Sequence, residues 1–353
     1  MSKVTILLTG ATGYIGGSIL QGLLQHPDAK RFEISTLIRD SAKAKILEET
    51  FGVKTTLGSI ADQDKLTALA ENAHIVIHTA DSSDNVDAMK AILKGLKVRH
   101  EKSGDVPHLV HTSGTGVLID FAKGEHASSP ILSDVDQKAL DAIPPDAFHR
   151  SVELLAIEAD EKDGYVRTHI VSPAVIYGLG HGPLFDAGIA NPFTFAILVF
   201  VRAALKRGNV GVEGKGASIW QSVHIDDLVD LYIRVVDAIV SDPGKISHGR
   251  AGYFIAENGG QTMAELLQSI AEGLFALGRI SSPTLVPYAP GEAGQYLVNQ
   301  FIADVLFSNS RCKAERARRE LGWNPKYTSR DFLDIIKSEV KEYVKKADAA
   351  KAD

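Results

Sequence analysis

Three glycines near the amino terminus have the spacing of a dinucleotide-binding turn. Gly10, Gly13 and Gly16 follow an apolar run and open a helical segment. Glycine permits a tight turn and close approach of the backbone to a pyrophosphate, and the amino terminus of the following helix attracts negative charge. The alternative is a glycine turn without a ligand. The residues predicted to hold the pyrophosphate are Gly10, Thr12, Gly13, Tyr14, Ile15 and Gly16.

Arg39 is the residue that would select the form of the cofactor. It ends the second apolar run, where a site for NAD places a carboxylate against the ribose 2′-hydroxyl. A guanidinium there can pair with a 2′-phosphate, and Lys43 offers a second cation. The sequence therefore favours NADP (NADPH) over NAD. The alternative is that Arg39 is a solvated charge and Asp40 caps the next helix.

These residues need a scaffold of alternating strands and helices. The clearest helix covers Asn85–Lys102, where an apolar stripe opposes a face of lysines. The alternation is typical of an α/β protein with a Rossmann-type doubly wound parallel sheet. The predicted strands are apolar, β-branched runs: Val4–Thr9, Phe32–Arg39, Val53–Leu57, His74–Ala80, His108–Ser113 and Thr168–Tyr177.

Composition excludes several classes of partner. The 353 residues carry 38 Lys plus Arg against 44 Asp plus Glu, a net charge of -6, so nucleic acid is not an expected partner. The longest apolar stretch, Phe193–Leu205, is too short to span a membrane and is expected to be buried. No metal site is expected from the histidine spacing. The single cysteine, Cys312, is expected to be a surface thiol in a reducing, cytoplasmic protein.

The motifs together resemble the extended, or atypical, short-chain dehydrogenase/reductase superfamily, including its nucleoside-diphosphate-sugar epimerase-like and dihydroflavonol-reductase-like members. Besides the glycine turn, the resemblance rests on Gly58–Asp62, Val76–Ala80, His111–Gly114, Ser172–Gly178, Trp220–Leu228 and Leu321–Lys326. It implies a cofactor site at the carboxyl ends of the strands. The further cofactor residues it implies are Ser59, Ile60, Thr79, Ala80, Thr112, Ser172, Pro173 and Val175.

A cluster of glycines and prolines after Tyr177 indicates a change of architecture. We predict an NAD(P)-binding Rossmann domain over residues 1–178, a smaller mixed α/β substrate domain over 179–345, and a disordered tail over 346–353. The resemblance leaves open that strands interleave between the two domains. The elements predicted in the second half are helices near Phe193–Arg207, Asp226–Val240, Thr262–Leu277 and Arg330–Lys346, and strands near Ile219–Val223 and Tyr253–Ala256.

The family's catalytic pair is missing. Members usually carry Tyr-x-x-x-Lys on the helix after the fifth strand, with Tyr as general acid and Lys holding the nicotinamide ribose. Counting back from Tyr177 places Phe148 and Val152 at those two positions. No tyrosine occurs between Tyr14 and Tyr165, so a shifted alignment does not restore the pair.

Three residues are candidates for the missing chemistry. Ser113 matches the family residue that hydrogen-bonds the substrate oxygen, His149 offers an imidazole, a common general acid, beside the missing tyrosine, and Tyr177 belongs to the nicotinamide segment. Each also has a structural alternative: a strand-end serine, a histidine paired with Glu153, and a packing tyrosine. Arg150 could instead bind an acidic group of a substrate.

The sequence therefore predicts an NADP-dependent oxidoreductase that acts on a small carbonyl or alcohol. A catalytically silent NAD(P)-binding regulator or scaffold is the second hypothesis, and a nucleoside-diphosphate-sugar epimerase is the third. Leu118–Pro145 is a candidate lid. A homodimer through the helices near 85–102 and 145–163 is one expected arrangement, and packing of the first helix on the sheet is the other.

Overall fold

The first half of the chain alternates strands and helices because its apolar runs are separated by amphipathic segments. The computed structural model describes residues 3–352. Its elements up to residue 173 are β1 Val4–Thr9, α1 Tyr14–Leu24, β2 Phe32–Ile38, α2 Ser41–Phe51, β3 Lys54–Leu57, α3 Gln63–Glu71, β4 Ile75–His78, α4 Val86–Ser103, β5 His108–Thr112, β6 Leu132–Ser133, α5 Gln137–Asp141, α6 Arg150–Glu158 and β7 Arg167–Pro173.

The second half mixes short strands with longer helices. The predicted run Thr168–Tyr177 divides at Ala174, and its last three residues join a different sheet. The elements are β8 Val175–Tyr177, α7 Pro183–Asp186, α8 Phe195–Arg207, β9 Gly211–Val212, β10 Ile219–His224, α9 Ile225–Ser241, β11 Tyr253–Ala256, β12 Gly260–Thr262, α10 Met263–Ala276, β13 Val286–Pro287, α11 Ala293–Tyr296, α12 Gln300–Leu306, β14 Cys312–Lys313, α13 Arg316–Glu320 and α14 Ser329–Ala352.

The main sheet has seven strands in the order β11-β7-β5-β4-β1-β2-β3, and all of its pairings are parallel. The predicted doubly wound Rossmann architecture is confirmed. The order reverses between β1 and β4, which creates the crevice where ligands of such sheets bind. Because β11 comes from beyond residue 250, the nucleotide-binding part does not end at residue 178, and strands do interleave between the two parts.

Helices cover both faces of this sheet. The apolar stripe of α4 packs inward, with Met89, Ile92 and Leu96 fully buried in one cluster with Val76 and Leu109 of the sheet. Packing on the sheet, one of the two arrangements expected for this stripe, therefore holds. On the other face, α1 and α9 meet so closely that a Cβ on Gly22 would lie 2.7 Å from the side chain of Val229. Helix α9 therefore belongs to the nucleotide-binding part.

A second core lies in the carboxyl-terminal part, where α8, α10 and α14 surround the small sheet β12-β10-β8. The expected burial of the apolar run in α8 is confirmed by Ile197, Phe200 and Val201. Helix α14 continues to Ala352, so the disordered tail expected from residue 346 is wrong as far as residue 352. Asp353 lies outside the described residues. No helix within residues 3–352 is long and apolar enough to cross a membrane.

The segment expected as a lid is tied to the carboxyl-terminal part. The side chain of Asp120 accepts hydrogen bonds from Asn309, and β6 pairs in parallel with β14. These contacts hold Leu118–Pro145 in place against the carboxyl-terminal part in this structure. The same pairing buries Cys312, so the prediction of a surface thiol is wrong, and burial raises the pKa of the thiol.

Candidate functional site

The glycine turn joins β1 to α1 at the switch point of the sheet. Gly10 has a positive φ of 78°, which glycine adopts without strain. A Cβ on Gly16 would lie 2.3 Å from the carbonyl oxygen of Gly10, so this position requires glycine for close packing of the helix on the turn. A Cβ on Gly13 would meet only the carbonyl oxygen of Gly10, at 3.1 Å. Gly13 therefore borders the space that a pyrophosphate needs.

The first turn of α1 presents backbone donors to that space. Gly13 is the N-cap residue and has no side chain with which to satisfy the amides of Tyr14, Ile15 and Gly16. The helix dipole adds a partial positive charge at the same point. Thr12 is half-buried, and its carbonyl accepts a hydrogen bond from the amide of Asn191, which holds the segment after α7 against the turn. This cradle fits the pyrophosphate of a dinucleotide.

Only the backbone of Tyr14 is available to a cofactor. Its side chain is buried, its hydroxyl donates to the carbonyl of Gly178 over 2.5 Å, and burial raises its pKa. The amide of Gly178 in turn donates to the carboxyl group of Glu339, also over 2.5 Å. Helix α14 is thereby connected to the glycine turn through Gly178.

Glu339→Gln is expected to stabilise the protein at pH 8 and to change its stability little at pH 5. Burial raises the pKa of Glu339 to about 8, against 4.5 when unfolded. Between these values the folded state binds more protons, so stability is lost as pH rises from 4.5 to 8. Glutamine keeps the acceptor and removes this loss, worth about 4 kcal/mol at pH 8. Urea unfolding at both pH values measures the loss. The half-exposed neighbour Glu342→Gln is the control, and a gain of the same size at pH 5 would contradict the prediction.

The end of β2 carries one exposed cation and the cap of the next helix. Arg39 is exposed and forms no hydrogen bond or ion pair within residues 3–352. Asp40 caps α2, since its side chain accepts from the amides of Ala42 and Lys43. The ammonium group of Lys43 donates to the carbonyl of Ile189 over 2.9 Å, so it also anchors the segment after α7. Arg39 is thus the cation that remains available to a 2′-phosphate.

Ser59 and Ile60 follow β3 beside this position. The amide of Gly58 donates to the carbonyl of Ile38, which brings the two loop segments together. The amide of Ser59 donates to Asp62 over 2.7 Å, and the side chain of Ile60 is half-exposed. Their contact with an adenine, which the resemblance implied, stays a prediction.

Thr79 and Ala80 pack under the glycine turn. The hydroxyl of Thr79 donates to the carbonyl of Thr9, and the amides of both residues donate to the hydroxyl of Thr9. The same hydroxyl of Thr9 is 2.8 Å from the ring of His78, whose pKa burial lowers to about 3. The side chain of Thr79 therefore supports the turn.

Several residues predicted to bind the cofactor have side chains that are bonded or packed inside the protein. The hydroxyl of Thr112 is bonded to the hydroxyl of Tyr232 on α9, at 2.5 Å. Ser172 is fully buried, and its hydroxyl donates to the hydroxyl of Tyr253 at 3.3 Å. Pro173 is buried, whereas Val175 is half-exposed. For this group the structure leaves Val175 as the side chain that can touch a ligand.

Ser113 belongs to a buried ionic network. Its hydroxyl donates to Glu153 over 2.5 Å, and Tyr253 donates to the same carboxylate oxygen over 2.9 Å. The other oxygen of Glu153 accepts from the guanidinium of Arg150 at 2.8 Å, and both charged side chains are buried. Arg150 is therefore a structural partner of Glu153, and the prediction that it could bind an acidic substrate is wrong in this structure.

His149 lies outside the helix that follows it. It is the N-cap residue of α6 and has a positive φ of 71°, so rotation about a helix axis does not decide where its ring points. Its Nδ1 is 2.8 Å from a carboxylate oxygen of Asp84, and the pairing with Glu153 expected as the alternative is absent among the described residues. Its Nε2 lies 2.9 Å from the Cβ position of Gly116 and 3.5 Å from that of Gly114. The ring thus borders the backbone directly after Ser113.

The two positions counted for the missing pair hold packing residues. Val152 is buried in the core beneath α4, and Phe148 packs toward the carboxyl-terminal part. Phe148, His149 and Glu153 all contact the Ser113–Gly116 segment. Of these three, His149 is the candidate proton donor. Nothing in the sequence pointed to its partner Asp84.

Tyr177 is a packing residue, so its prediction as a proton donor is wrong. Its ring packs edge-on against Phe332 in the second core, and burial raises its pKa. Its hydroxyl lies 3.4 Å from the carbonyl of Thr328, to which it donates.

A cavity lies away from these residues. It measures about 580 Å³ and opens near Lys3, Phe32 and Phe51, where β1 and β2 begin. Ligands of open α/β sheets bind at the opposite, carboxyl ends of the strands.

The parallel sheet and the glycine turn at its switch point together define a dinucleotide-binding protein of the Rossmann class. The model of the NAD dependent epimerase/dehydratase family matches residues 6–247. The chain belongs to this family, which confirms the resemblance inferred from its motifs.

Individual relatives agree with this assignment. Oxidase ucsJ of Acremonium sp is 31% identical over 337 residues, which cover 91% of this chain and 92% of the oxidase. Short-chain dehydrogenase/reductase family 42E member 1 of Homo sapiens is 25% identical and covers 77% of this chain and 68% of its own length. The dTDP-glucose 4,6-dehydratase DesIV of Streptomyces venezuelae, solved with NAD and TYD bound, has a TM-score of 0.65 at 19% identity over 96% of this chain and 97% of its own. Its likeness concerns the fold.

Proposed function

We propose that this protein is an NADP-dependent oxidoreductase acting on a carbonyl compound or the corresponding alcohol. The observation that carries the proposal is the uncapped first turn of α1 at the glycine cradle, with the exposed Arg39 at the end of β2. The cradle holds a pyrophosphate, and Arg39 pairs with the 2′-phosphate. When bound, the cofactor supplies or accepts a hydride.

His149 is the proposed proton donor to the carbonyl oxygen. Asp84 accepts a hydrogen bond from Nδ1–H and fixes the orientation of the ring. This leaves Nε2, beside Gly114 and Gly116, to donate in reduction and to accept in oxidation. Ser113 holds its hydroxyl toward Glu153, so it positions α6 and does not polarise the substrate in this arrangement.

Arg39→Ala is expected to weaken NADPH binding about 10–100-fold and to leave NADH binding unchanged. A charge-assisted hydrogen bond to phosphate contributes roughly 1.5–3 kcal/mol, and each 1.4 kcal/mol is about tenfold in affinity. Calorimetric titration of both cofactors measures the effect. Lys45→Ala removes the same charge from the exposed face of α2 and is the control. Equal losses for NADPH and NADH would refute the NADP preference.

A catalytically silent NAD(P)-binding regulator is the second candidate. It is favoured by the burial of Ser113, whose hydroxyl is bonded to Glu153, and by the absence of the family's tyrosine and lysine. The two candidates differ in turnover: oxidation of bound NADPH by a panel of aldehydes and ketones, followed at 340 nm, is expected only for the enzyme. An epimerase ranks third, because that chemistry depends on the missing tyrosine. A homodimer and a cytoplasmic location stay predictions.

A further inference from the structure

Two phenylalanines and a valine form an apolar surface beside His149. The ring of Phe148 lies 3.7 Å from the ring of His149, measured between centroids, and Phe301 of α12 meets Phe148 edge-on at 5.4 Å. Phe301 is 49% exposed and Val298 is 62% exposed. We call Phe148, Phe301 and Val298 the aromatic wall. It continues the surface that begins at Gly114 and Gly116.

The wall keeps apolar groups in solvent at an energetic cost. Val298 has a positive φ of 57°, a conformation that a β-branched residue rarely adopts. Backbone strain of this kind persists where surrounding structure enforces it, and it clusters at ligand clamps. Exposed apolar groups next to a candidate acid are therefore best explained by a ligand that covers them.

Charge around the wall disfavours a phosphorylated ligand. Residues 288–307, which carry Val298 and Phe301, contain no Lys or Arg but include Glu292 and Asp304. Three cations reach this segment: Arg207 pairs with Glu292, Lys123 pairs with Asp304, and Lys206 contacts the carbonyl of Gln295 and the ring of Tyr296. A diphosphate placed along this surface would meet carboxylates, and the segment itself supplies no cation to it.

We propose that the aromatic wall is the substrate-binding surface and that the substrate is an uncharged, ring-bearing carbonyl compound or alcohol, not a nucleotide sugar. This inference rests on the proposed function, since it takes His149 as the group that meets the reacting oxygen. A ring stacked on Phe148 and Phe301 brings a substituent oxygen toward Nε2 of His149. The aromatic contact area provides the binding affinity. The absence of Lys and Arg from residues 288–307 disfavours phosphorylated ligands relative to uncharged ones.

Cinnamyl alcohol and UDP-glucose are the probes for this proposal. Each is titrated by calorimetry into the whole protein, with and without NADP. We expect cinnamyl alcohol to bind more tightly than UDP-glucose. Phe301→Ala should weaken cinnamyl alcohol about tenfold, as expected when an aromatic contact is lost. Phe275→Ala on α10 removes a ring of matching exposure, 47%, and should change nothing.

Two results would overturn the proposal: tighter binding of UDP-glucose, or equal effects of the two phenylalanine variants. Failure of the proposed function gives a different pattern, because the wall is exposed without cofactor and can be titrated in the cofactor-free protein. If neither NADPH nor NADH binds, the oxidoreductase is refuted, while the comparison of the two probes still decides which ligand the wall accepts.

Discussion

His149→Asn is expected to lower kcat by about 10²–10⁴-fold, the usual effect of losing a positioned general acid, with NADPH affinity unchanged. Asparagine tolerates the left-handed backbone that His149 adopts at the start of α6, and it can cap the helix. The variant therefore removes the proton donor while keeping the local fold. Single-turnover oxidation of NADPH with a saturating carbonyl substrate measures the chemical step directly.

Asp84→Asn separates proton transfer from support of the fold. The amide oxygen can still accept the hydrogen bond from Nδ1–H, but the negative charge beside the ring is gone. The ring is then held by a neutral hydrogen bond, so kcat should fall while the stability measured by urea unfolding is kept. A purely structural Asp84 would instead lower stability and leave kcat unchanged. A kcat within twofold of the parent in His149→Asn would show that another group donates the proton.

The sheet was predictable because both of its faces are buried. Strands covered on both sides must be apolar along their length, and the runs that become β1, β4 and β5 have this property. Tyr253–Ala256 was identified with the bounds that the structure has. The sequence could not assign it to the main sheet, because the pattern of one strand carries no information on its neighbours.

The candidate proton donor was predictable from its residue type, but its surroundings were not. The sequence singled out His149 as an imidazole beside the missing tyrosine, and gave no sign that a left-handed backbone places it outside α6. Asp84 could not be found, because its contact with His149 joins residues 65 positions apart. Cys312 did carry a readable signal: Arg311, Cys312 and Lys313 alternate as a strand does, which places the thiol inward between two charges.

Arg150→Met is expected to destabilise the protein by about 3–5 kcal/mol, because it leaves the carboxylate of Glu153 buried without its cation. Hydrogen bonds from Ser113 and Tyr253 remain, but neither carries a compensating charge. Urea unfolding at pH 7 measures the change. Lys162→Met breaks an exposed ion pair with Glu158 at the carboxyl end of the same helix and should cost well under about 1 kcal/mol.

The double variant Arg150→Met, Glu153→Leu tests whether the buried network around Glu153 serves stability or catalysis. Replacing a whole buried ion pair by apolar groups is often neutral, so most of the lost stability should return. Ser113 then loses its acceptor, and its hydroxyl becomes available to a substrate oxygen. If kcat stays within twofold while stability recovers, the network holds α6 in place and His149 acts without it. Recovered stability with kcat reduced tenfold or more would mean that the carboxylate of Glu153 itself sets the geometry of the reacting groups.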